Sequence, residues 1–344
     1  MQTHDTKAQK KKAVALLSGG LDSNLAVRIM REQGVEVEAV SIKTPFCDFD
    51  CGRGCGHNLK EAVSDLGVKL KTIYLGEEYL KMVMNPKYGY GSGMNPCIDC
   101  RAMMYKCAKS HMDEIGADFL ITGEVLSQRP MSQNKRALQL IEKTTEMEGK
   151  VVRPLSARNL PSSDPEKAGL IKREDLYSIS GRSRKEQLKL AKRYGIIDPP
   201  NAAGGCLLTD KGFSNRLKDL ITYVDHNITL NDVELLKVGR HFRLSDNVKL
   251  IVGRNEEENE IVAGLAKTSD LLMESIQYKG PVGMIRGSNL DSVLDTAAAV
   301  VNRYSDSPRE CATAVRLYTS TGTRDLQSID SIPCDESLLD KLRI

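Results

Sequence analysis

Ala13-Val14-Ala15-Leu16-Leu17-Ser18-Gly19-Gly20-Leu21-Asp22-Ser23 is an apolar run that ends in a small polar loop and opens directly into an amphipathic stretch. The run predicts a buried strand, and the stretch after it predicts a helix starting at Asp22 or Ser23. Two glycines between them let the backbone come close to an anion. The helix start directs unpaired N–H groups and the positive end of its dipole at the same place. The loop therefore reads as a cradle for phosphates. It lacks the Gly-x-x-x-x-Gly-Lys-Ser/Thr spacing of mononucleotide loops and the three spaced glycines of the dinucleotide fingerprint, so neither of those arrangements applies.

Outward from the loop, short apolar runs alternate with helical patterns. Strands are predicted at 13–17, 37–42, 70–75 and 118–122, and helices at 22–33, 58–66 and 98–115. The helices end near Gly34, Gly67 and Gly116, which suit C-caps. This order predicts an α/β fold, a doubly wound parallel sheet with its nucleotide at the carboxyl ends of the strands. A Pro- and Ser-rich loop at 153–165 breaks the pattern. Helical stretches are expected at 171–179 and 184–194, then a break at Pro199-Pro200 and a further helix at 215–224. Beyond about 233 the texture changes. The segments 238–240, 249–252 and 261–263 read as a β-hairpin around 254–260, in a separate, smaller α+β module. The expected organisation is a basic leader at 1–12, a nucleotide-binding α/β domain at 13–165, a helical extension at 166–232 and a C-terminal domain at 233–344.

A chain of 344 residues is long enough for more than one core, and 40% hydrophobic with 28% charged residues is ordinary globular composition. A net charge of +3 is nearly balanced, so a nucleic-acid partner has to be met by local basic patches. No stretch reads as a membrane span, and the polar leader carries no apolar run behind it, which predicts a cytoplasmic protein. Nine cysteines in a reducing compartment point to metal or redox chemistry rather than a disulfide framework.

Asn95-Pro96-Cys97-Ile98-Asp99-Cys100-Arg101 sets a Cys-x-x-Cys pair at a helix start, a position that favours thiolate. A third thiol follows in Gly204-Gly205-Cys206. Cys97, Cys100 and Cys206 can hold three corners of a [4Fe-4S] cluster and leave the fourth iron open. Alternatively, Cys97 and Cys206 serve as a persulfide carrier and its resolving partner. A second group, Cys47-x3-Cys51-x3-Cys55-x-His57, has ligand types that suit Zn²⁺ without the usual x2 knuckle, and its spacing does not support radical chemistry. Cys107, Cys311 and Cys334 stand alone and read as structural. Arg182, Arg184, Lys185, Lys189, Lys192 and Arg193 stand against Glu186 alone, a run that either tracks a phosphate backbone or forms a solvated helix face. Aromatic content of 5% with no Trp argues against a base-stacking platform.

Ser18-Gly19-Gly20-Leu21-Asp22-Ser23 resembles the PP-loop of the ATP pyrophosphatases, which cleave ATP between the α and β phosphates. With Asn95-Pro96-Cys97-x-x-Cys100 and Gly204-Gly205-Cys206, the chain from about Lys12 to Leu220 resembles the PP-loop tRNA sulfurtransferases, the thiouridine synthases and their relatives. Further matches are Pro86 to Gly91, Thr122-Gly123-Glu124-Val125, Gln128 to Gln133, Arg153-Pro154-Leu155-Ser156 and Gly181-Arg182-Ser183-Arg184. The resemblance implies that Ser18, Gly19, Gly20, Asp22 and Ser23 hold the phosphates of ATP. By the same likeness Asp22 sits near Mg²⁺, Gly123 and Glu124 line the nucleotide pocket, and the cysteines handle sulfur. The C-terminal module, through Val252-Gly253-Arg254-Asn255 and Gly280-Pro281-Val282-Gly283, resembles the RNA-binding module of ribosome-associated quality-control proteins. The RNA-binding arrangement that 4-thiouridine synthases carry ahead of the loop is not found here, nor is a rhodanese-like tail, so the modified position and the sulfur donor stay unassigned.

The implied chemistry is adenylation of a uridine carbonyl in tRNA, with Asp22, Cys97 and Cys206 as catalytic residues, followed by attack of sulfur. Two other classes remain open: a PP-loop amidotransferase or ligase on a small molecule, with idle cysteines, and a non-catalytic, ATP-regulated factor that binds RNA or the ribosome. A homodimer is compatible with the sequence and not required by it.

Overall fold

The structure, a computed structural model, describes residues 11–47, 59–196, 206–224, 228–321 and 325–344. The chain divides into two compact units, Met1–Leu207 and Leu208–Ile344. Among the described residues no helix is long and apolar enough to cross a membrane.

The first unit runs β1 (Lys12–Leu16), α1 (Leu21–Glu32), β2 (Glu36–Lys43), α2 (Leu59–Leu66), β3 (Lys69–Tyr74), α3 (Glu77–Met84), α4 (Cys97–Ile115), β4 (Phe119–Thr122), α5 (Lys135–Thr145), β5 (Val151–Val152), α6 (Asp164–Lys167) and α7 (Lys185–Arg193). Its strands pair in parallel in the order β3-β2-β1-β4-β5. Because side chains alternate along a strand, a sheet buried on both faces needs apolar residues in both parities. Ala13, Ala15, Val37, Ala39, Phe119 and Ile121 pack on one face with Leu25, Ile29 and Leu190 of α1 and α7. Val14, Val40 and Leu120 pack on the other with Tyr105, Ala108 and Ile141 of α4 and α5. The sheet is therefore doubly wound, as the sequence predicts. Strand order reverses between β1 and β4, and the loop after β1 stands at that switch point. Gly34, Gly67 and Gly116 follow their helices at φ of +75°, +55° and +64°, the left-handed region expected of C-terminal glycines.

One expected helix is absent. Residues 171–179 contain only a single 3₁₀ turn, Arg173–Asp175. Tyr177 N–H donates to Pro154 O (2.9 Å) and Ile179 N–H to Leu155 O (2.8 Å), so the backbone finds its partners across the neighbouring segment instead of within a helix. Helices α3 and α5 fall where the sequence reading named none.

The second unit runs α8 (Lys211–Tyr223), α9 (Leu230–Leu235), β6 (Arg240–Ser245), β7 (Val248–Val252), α10 (Glu256–Gly264), β8 (Leu271–Ser275), β9 (Gly283–Gly287), α11 (Leu294–Arg303), β10 (Thr313–Tyr318), β11 (Asp325–Ser331) and α12 (Glu336–Leu342). An antiparallel sheet, β11-β10-β8-β9-β7-β6, carries α11 and α12 over one core and α9 and α10 over another. The expected hairpin exists, but its strands are β6 and β7. Residues 261–263 belong instead to α10, which Asn255 caps by accepting from Glu258 N–H and which has three glutamates in its first turn.

The division at 207/208 differs from the boundary near 233 read from the sequence, for an electrostatic reason. Asp219 of α8 pairs with Arg243 (2.6 Å) and with Lys249 (3.2 Å), and Asp232 of α9 pairs with Arg286 (2.5 Å). Both helices are thereby tied to the antiparallel sheet. Lys249 is 7% exposed, and burial pulls its ammonium down to about 8 even against the favourable Asp219 carboxylate. Asp219→Ala leaves that charge and Arg243 without their acceptor. The expected loss is about 3–5 kcal/mol of stability in the second unit, read as a fall in its urea midpoint.

Candidate nucleotide and thiol site

The phosphate cradle is pre-ordered by its own serines. Ser23 Oγ donates to Gly20 O (2.9 Å) and accepts from Ser18 N–H (3.3 Å), while Ser18 Oγ lies 3.3 Å from Ser23 Oγ. Gly19 takes φ +79°, which only glycine adopts without strain, and Gly20 stands at the N-cap of α1 with no side-chain cap. The first N–H groups of α1 are left for a ligand at its positive end. Gly123, just past β4, faces this turn at backbone distance. A Cβ there would lie 2.5 Å from Asp22 C and nearer still to Ser23 N.

Asp22 projects from that first turn. Its Oδ2 accepts from Gln128 Nε2 (3.0 Å), while Oδ1 is buried without a hydrogen-bond partner. Burial raises its carboxyl, and Gln128, Arg184 and Arg129 oppose the rise. An oxygen of this kind, partly desolvated and beside a phosphate cradle, is the hard donor that Mg²⁺ takes.

Glu124 is 2% exposed and lies inside an ionic network rather than on an open wall. Its Oε2 accepts from Tyr105 OH (2.5 Å), Thr122 Oγ1 (3.1 Å) and Arg153 Nε (3.0 Å), and Arg101 approaches Oε1 at 3.7 Å. Burial alone would raise this carboxyl, but Arg153 and Arg101 hold it below the usual range. The network pins the chain next to Gly123.

The thiols gather at the carboxyl edge of the same sheet, because Cys47 follows β2, Tyr79 follows β3, and Cys97 and Cys100 open α4. Tyr79, 1% exposed, donates its hydroxyl to Cys100 Sγ (3.0 Å), and the thiols of Cys206 and Cys47 are within electrostatic range of the same ring oxygen. Asp99, between the pair, accepts from the N–H groups of Lys87 (3.1 Å) and Tyr88 (3.0 Å). That grip holds the Pro86 to Gly91 loop close. A Cβ on Gly91 would lie 3.3 Å from both Cys97 Sγ and Met131 Cγ.

The expectation that a helix start favours thiolate is overturned. Burial raises both Cys97 and Cys100 above the ordinary thiol value, and a backbone N–H with Arg129 and Arg101 at Cys97, and the Tyr79 hydroxyl with Arg101 at Cys100, only offset it in part. Desolvation is the largest influence here, and thiols of this kind need a metal or a base to ionise. Among the described residues no three His, Cys, Asp or Glu side chains converge at metal-binding distance. The donor set of Cys97, Cys100 and Cys206 fits soft, thiolate-preferring iron–sulfur chemistry in type. Cys51, Cys55, His57, Gly204 and Gly205 lie outside the described residues. Cys107 is half-buried, Cys334 buried and Cys311 exposed.

Arg129 is the link between the two halves of the site, since its charge reaches both the Asp22 carboxylate and the Cys97 thiol. Arg184 reaches Asp22 as well. The rest of the basic run is mixed: Lys189 pairs with Glu186 on the surface, and Arg193 lies over the Tyr194 ring at 5.9 Å. Gln128 stands in the Gln128 to Gln133 match read from the sequence, which gave it no role, and nothing in the chain marked Tyr79.

Residues 8–160 match the family described as thiamine biosynthesis protein (ThiI), and residues 239–341 match the NFACT protein RNA binding domain. The first of these matches falls in the unit of the parallel sheet and the second in the unit of the antiparallel sheet. The tRNA-specific 2-thiouridylase MnmA of Marinobacter nauticus is 20% identical over 331 residues, covering 87% of this chain and 80% of that protein. The protein of the same name from Syntrophotalea carbinolica is 32% identical over 127 residues, 34% of this chain and 35% of the relative. A solved 4-thiouridine synthetase–RNA complex with bound ATP is 23% identical, with 54% of this chain and 52% of that one covered at a TM-score of 0.34. At that score the likeness carries no argument about the site.

Gly123→Ala tests the cradle geometry. The methyl group has backbone in its way, so the first turn of α1 has to move, and a displacement of the order of 1 Å is expected to lower ATP-dependent turnover by about 10²-fold. Titration with a fluorescent ATP analogue should show the matching loss of affinity.

Proposed function

We propose that this protein is an ATP-dependent tRNA sulfurtransferase that adenylates a uridine carbonyl oxygen and replaces that oxygen with sulfur, acting in the cytoplasm. The observation that carries the reading is the placement of a phosphate cradle and a group of buried thiols on one sheet edge, with Arg129 in reach of both Asp22 and Cys97. A small-molecule ligase would give the thiols no reason to stand there. The relatives named tRNA-specific 2-thiouridylase and the match to an RNA-binding domain support tRNA as the substrate.

The chain's own groups account for the order of events. ATP lies with its phosphates on Ser18 to Ser23 and the start of α1, where fixed N–H donors meet charge that grows on the departing pyrophosphate. Arg129 and Arg184 face the same charge. The uridine oxygen bonds to the α-phosphorus, pyrophosphate leaves, and the oxygen has become part of a good leaving group. A sulfur nucleophile then bonds to the activated carbon and AMP departs, leaving a thiocarbonyl. Mg²⁺, when bound at Asp22, adds positive charge at the phosphate oxygens. Cys97, Cys100 and Cys206 are the residues that would hold an iron–sulfur cluster, which supplies an open iron site for sulfide when bound. Tyr79 keeps the Cys100 sulfur hydrogen-bonded.

Two measurements test this. Asp22→Asn should reduce pyrophosphate release by at least about 10²-fold, while thermal stability stays level or rises. The sign follows from burial: the folded-state carboxyl is raised, so its ionised form costs stability above its unfolded-state value, and a neutral amide removes that cost. Undiminished pyrophosphate release would remove the PP-loop reading.

Cys206→Ser should abolish thiolated product and spare ATP binding. Anaerobically purified protein is expected to contain about four irons per chain, lost on replacing Cys97, Cys100 or Cys206. Iron-free protein that still thiolates RNA would assign the sulfur to a persulfide on Cys97 or Cys206 instead.

A further inference from the structure

Helix α7 carries a run of cations that the steps above leave without a role. Its inward face consists of Gln187, Leu190 and Ala191, and the last two enter the core that also holds α1. At about 3.6 residues per turn, Lys185, Lys189 and Lys192 fall on the opposite ridge, and all three are exposed. Arg182, just ahead of the helix, is exposed as well.

This ridge works against the helix that bears it. Cations at a helix start oppose the dipole, yet Arg184 stands at the N-cap and Lys185 follows it. Lys185 with Lys189, and Lys189 with Arg193, are like charges four residues apart, an arrangement that destabilises a helix. Within the run only Glu186 offsets them, through its pair with Lys189 at 2.8 Å. A face shaped for solvation alone alternates its signs. Six cations between 182 and 193 against one acid, in positions that weaken the helix, call for an anion from outside.

The place of the helix says where that anion belongs. Gly181 N–H donates to Leu126 O (2.8 Å), so the chain entering α7 lies beside the segment that leads to Gln128 and Arg129. Arg184 then brings its charge to the Asp22 carboxylate. α7 therefore starts at the phosphate cradle, and its lysine ridge is about 10 Å long.

We propose that Lys185, Lys189 and Lys192, with Arg182, bind the phosphate backbone of the tRNA whose uridine is adenylated beside them. Flexible ammonium groups in a row meet successive phosphates without reading sequence, and so position the strand. An anionic membrane suits this face less well. A helix that lies on lipid turns its apolar side outward, whereas α7 keeps Leu190 and Ala191 in the core and exposes Leu188 alone among its apolar residues. Residues 182–192 lie outside both 8–160 and 239–341, so this contact belongs to neither matched segment. The inference rests on the reading of the protein as a tRNA sulfurtransferase.

The test uses the full chain and a pool of unmodified tRNA transcripts, with affinity measured across a salt series. Lys185→Gln, Lys189→Gln and Lys192→Gln are combined in one variant. Gln suits a helix about as well as Lys and removes the like-charge pairs, so this variant should be at least as heat-stable as the wild type. Its plot of log affinity against log salt is expected to flatten by about 1 for each lysine that meets a phosphate, about 2 to 3 in all, with ATP affinity unchanged. Arg at the same three positions keeps the charge and should keep the slope. Lys81→Gln, Lys106→Gln and Lys143→Gln, exposed on α3, α4 and α5, remove equal charge elsewhere and should change the slope by less than about 1. A wild-type slope in the α7 variant, or a loss no greater than in this control, would overturn the proposal. If that variant had instead lost binding to phosphatidylserine vesicles, the face would belong to a lipid surface. No binding of tRNA by the wild type would strike the tRNA reading itself, which an unchanged slope alone would not.

Discussion

A side chain at position 123 would occupy the space of the Asp22–Ser23 backbone, and this close approach of the end of β4 to the start of α1 sets the rest of the site. It fixes the depth of the phosphate cradle relative to the sheet and brings Gln128, a few residues on, within hydrogen-bond reach of Asp22. The same turn continues into Arg129, whose charge acts on the Cys97 thiol. The Ser18 to Ser23 loop and the Cys97 thiol thus share a single short segment as their border.

Such an arrangement needs rigid support, and the structure supplies it with buried charge. Glu124 and Arg153 pair beneath the site, with Tyr105, Thr122 and Glu142 completing the hydrogen bonds. Replacing one member alone would strand the others in a medium of low polarity, so the group acts as a unit. Arg101 extends the same network toward Cys97 and Cys100, with Glu124 as the main support of its charge. The sheet edge beneath the Ser18 to Ser23 loop and the N-terminus of α4 are therefore joined by electrostatics as well as by packing.

The second unit solves a different problem with similar means. Its antiparallel sheet is covered on both faces, and the helices ahead of it are held by the ion pairs of Asp219 and Asp232. Those pairs move the boundary between units upstream of the change in texture visible in the chain. A boundary read from composition sees where hairpins begin, but ion pairs between residues far apart in the chain decide which helices travel with them.

Local patterns carried much of this protein. The doubly wound sheet followed from apolar runs in both parities, from glycines in the left-handed region after each helix, and from Ser18 to Ser23 at a strand end. These are properties of neighbouring residues, so the sequence determined them without help. The hairpin of the second unit was visible for the same reason, while its far arm was misread because Asn255 and three glutamates start a helix there. What only the tertiary structure decided is the environment of each group. Burial reversed the expected ease of ionising Cys97 and Cys100, enclosed Glu124 in ion pairs, and set Tyr79 and Gln187 against partners far along the chain. Desolvation depends on everything packed around an atom, and no spacing of residues along a chain records it.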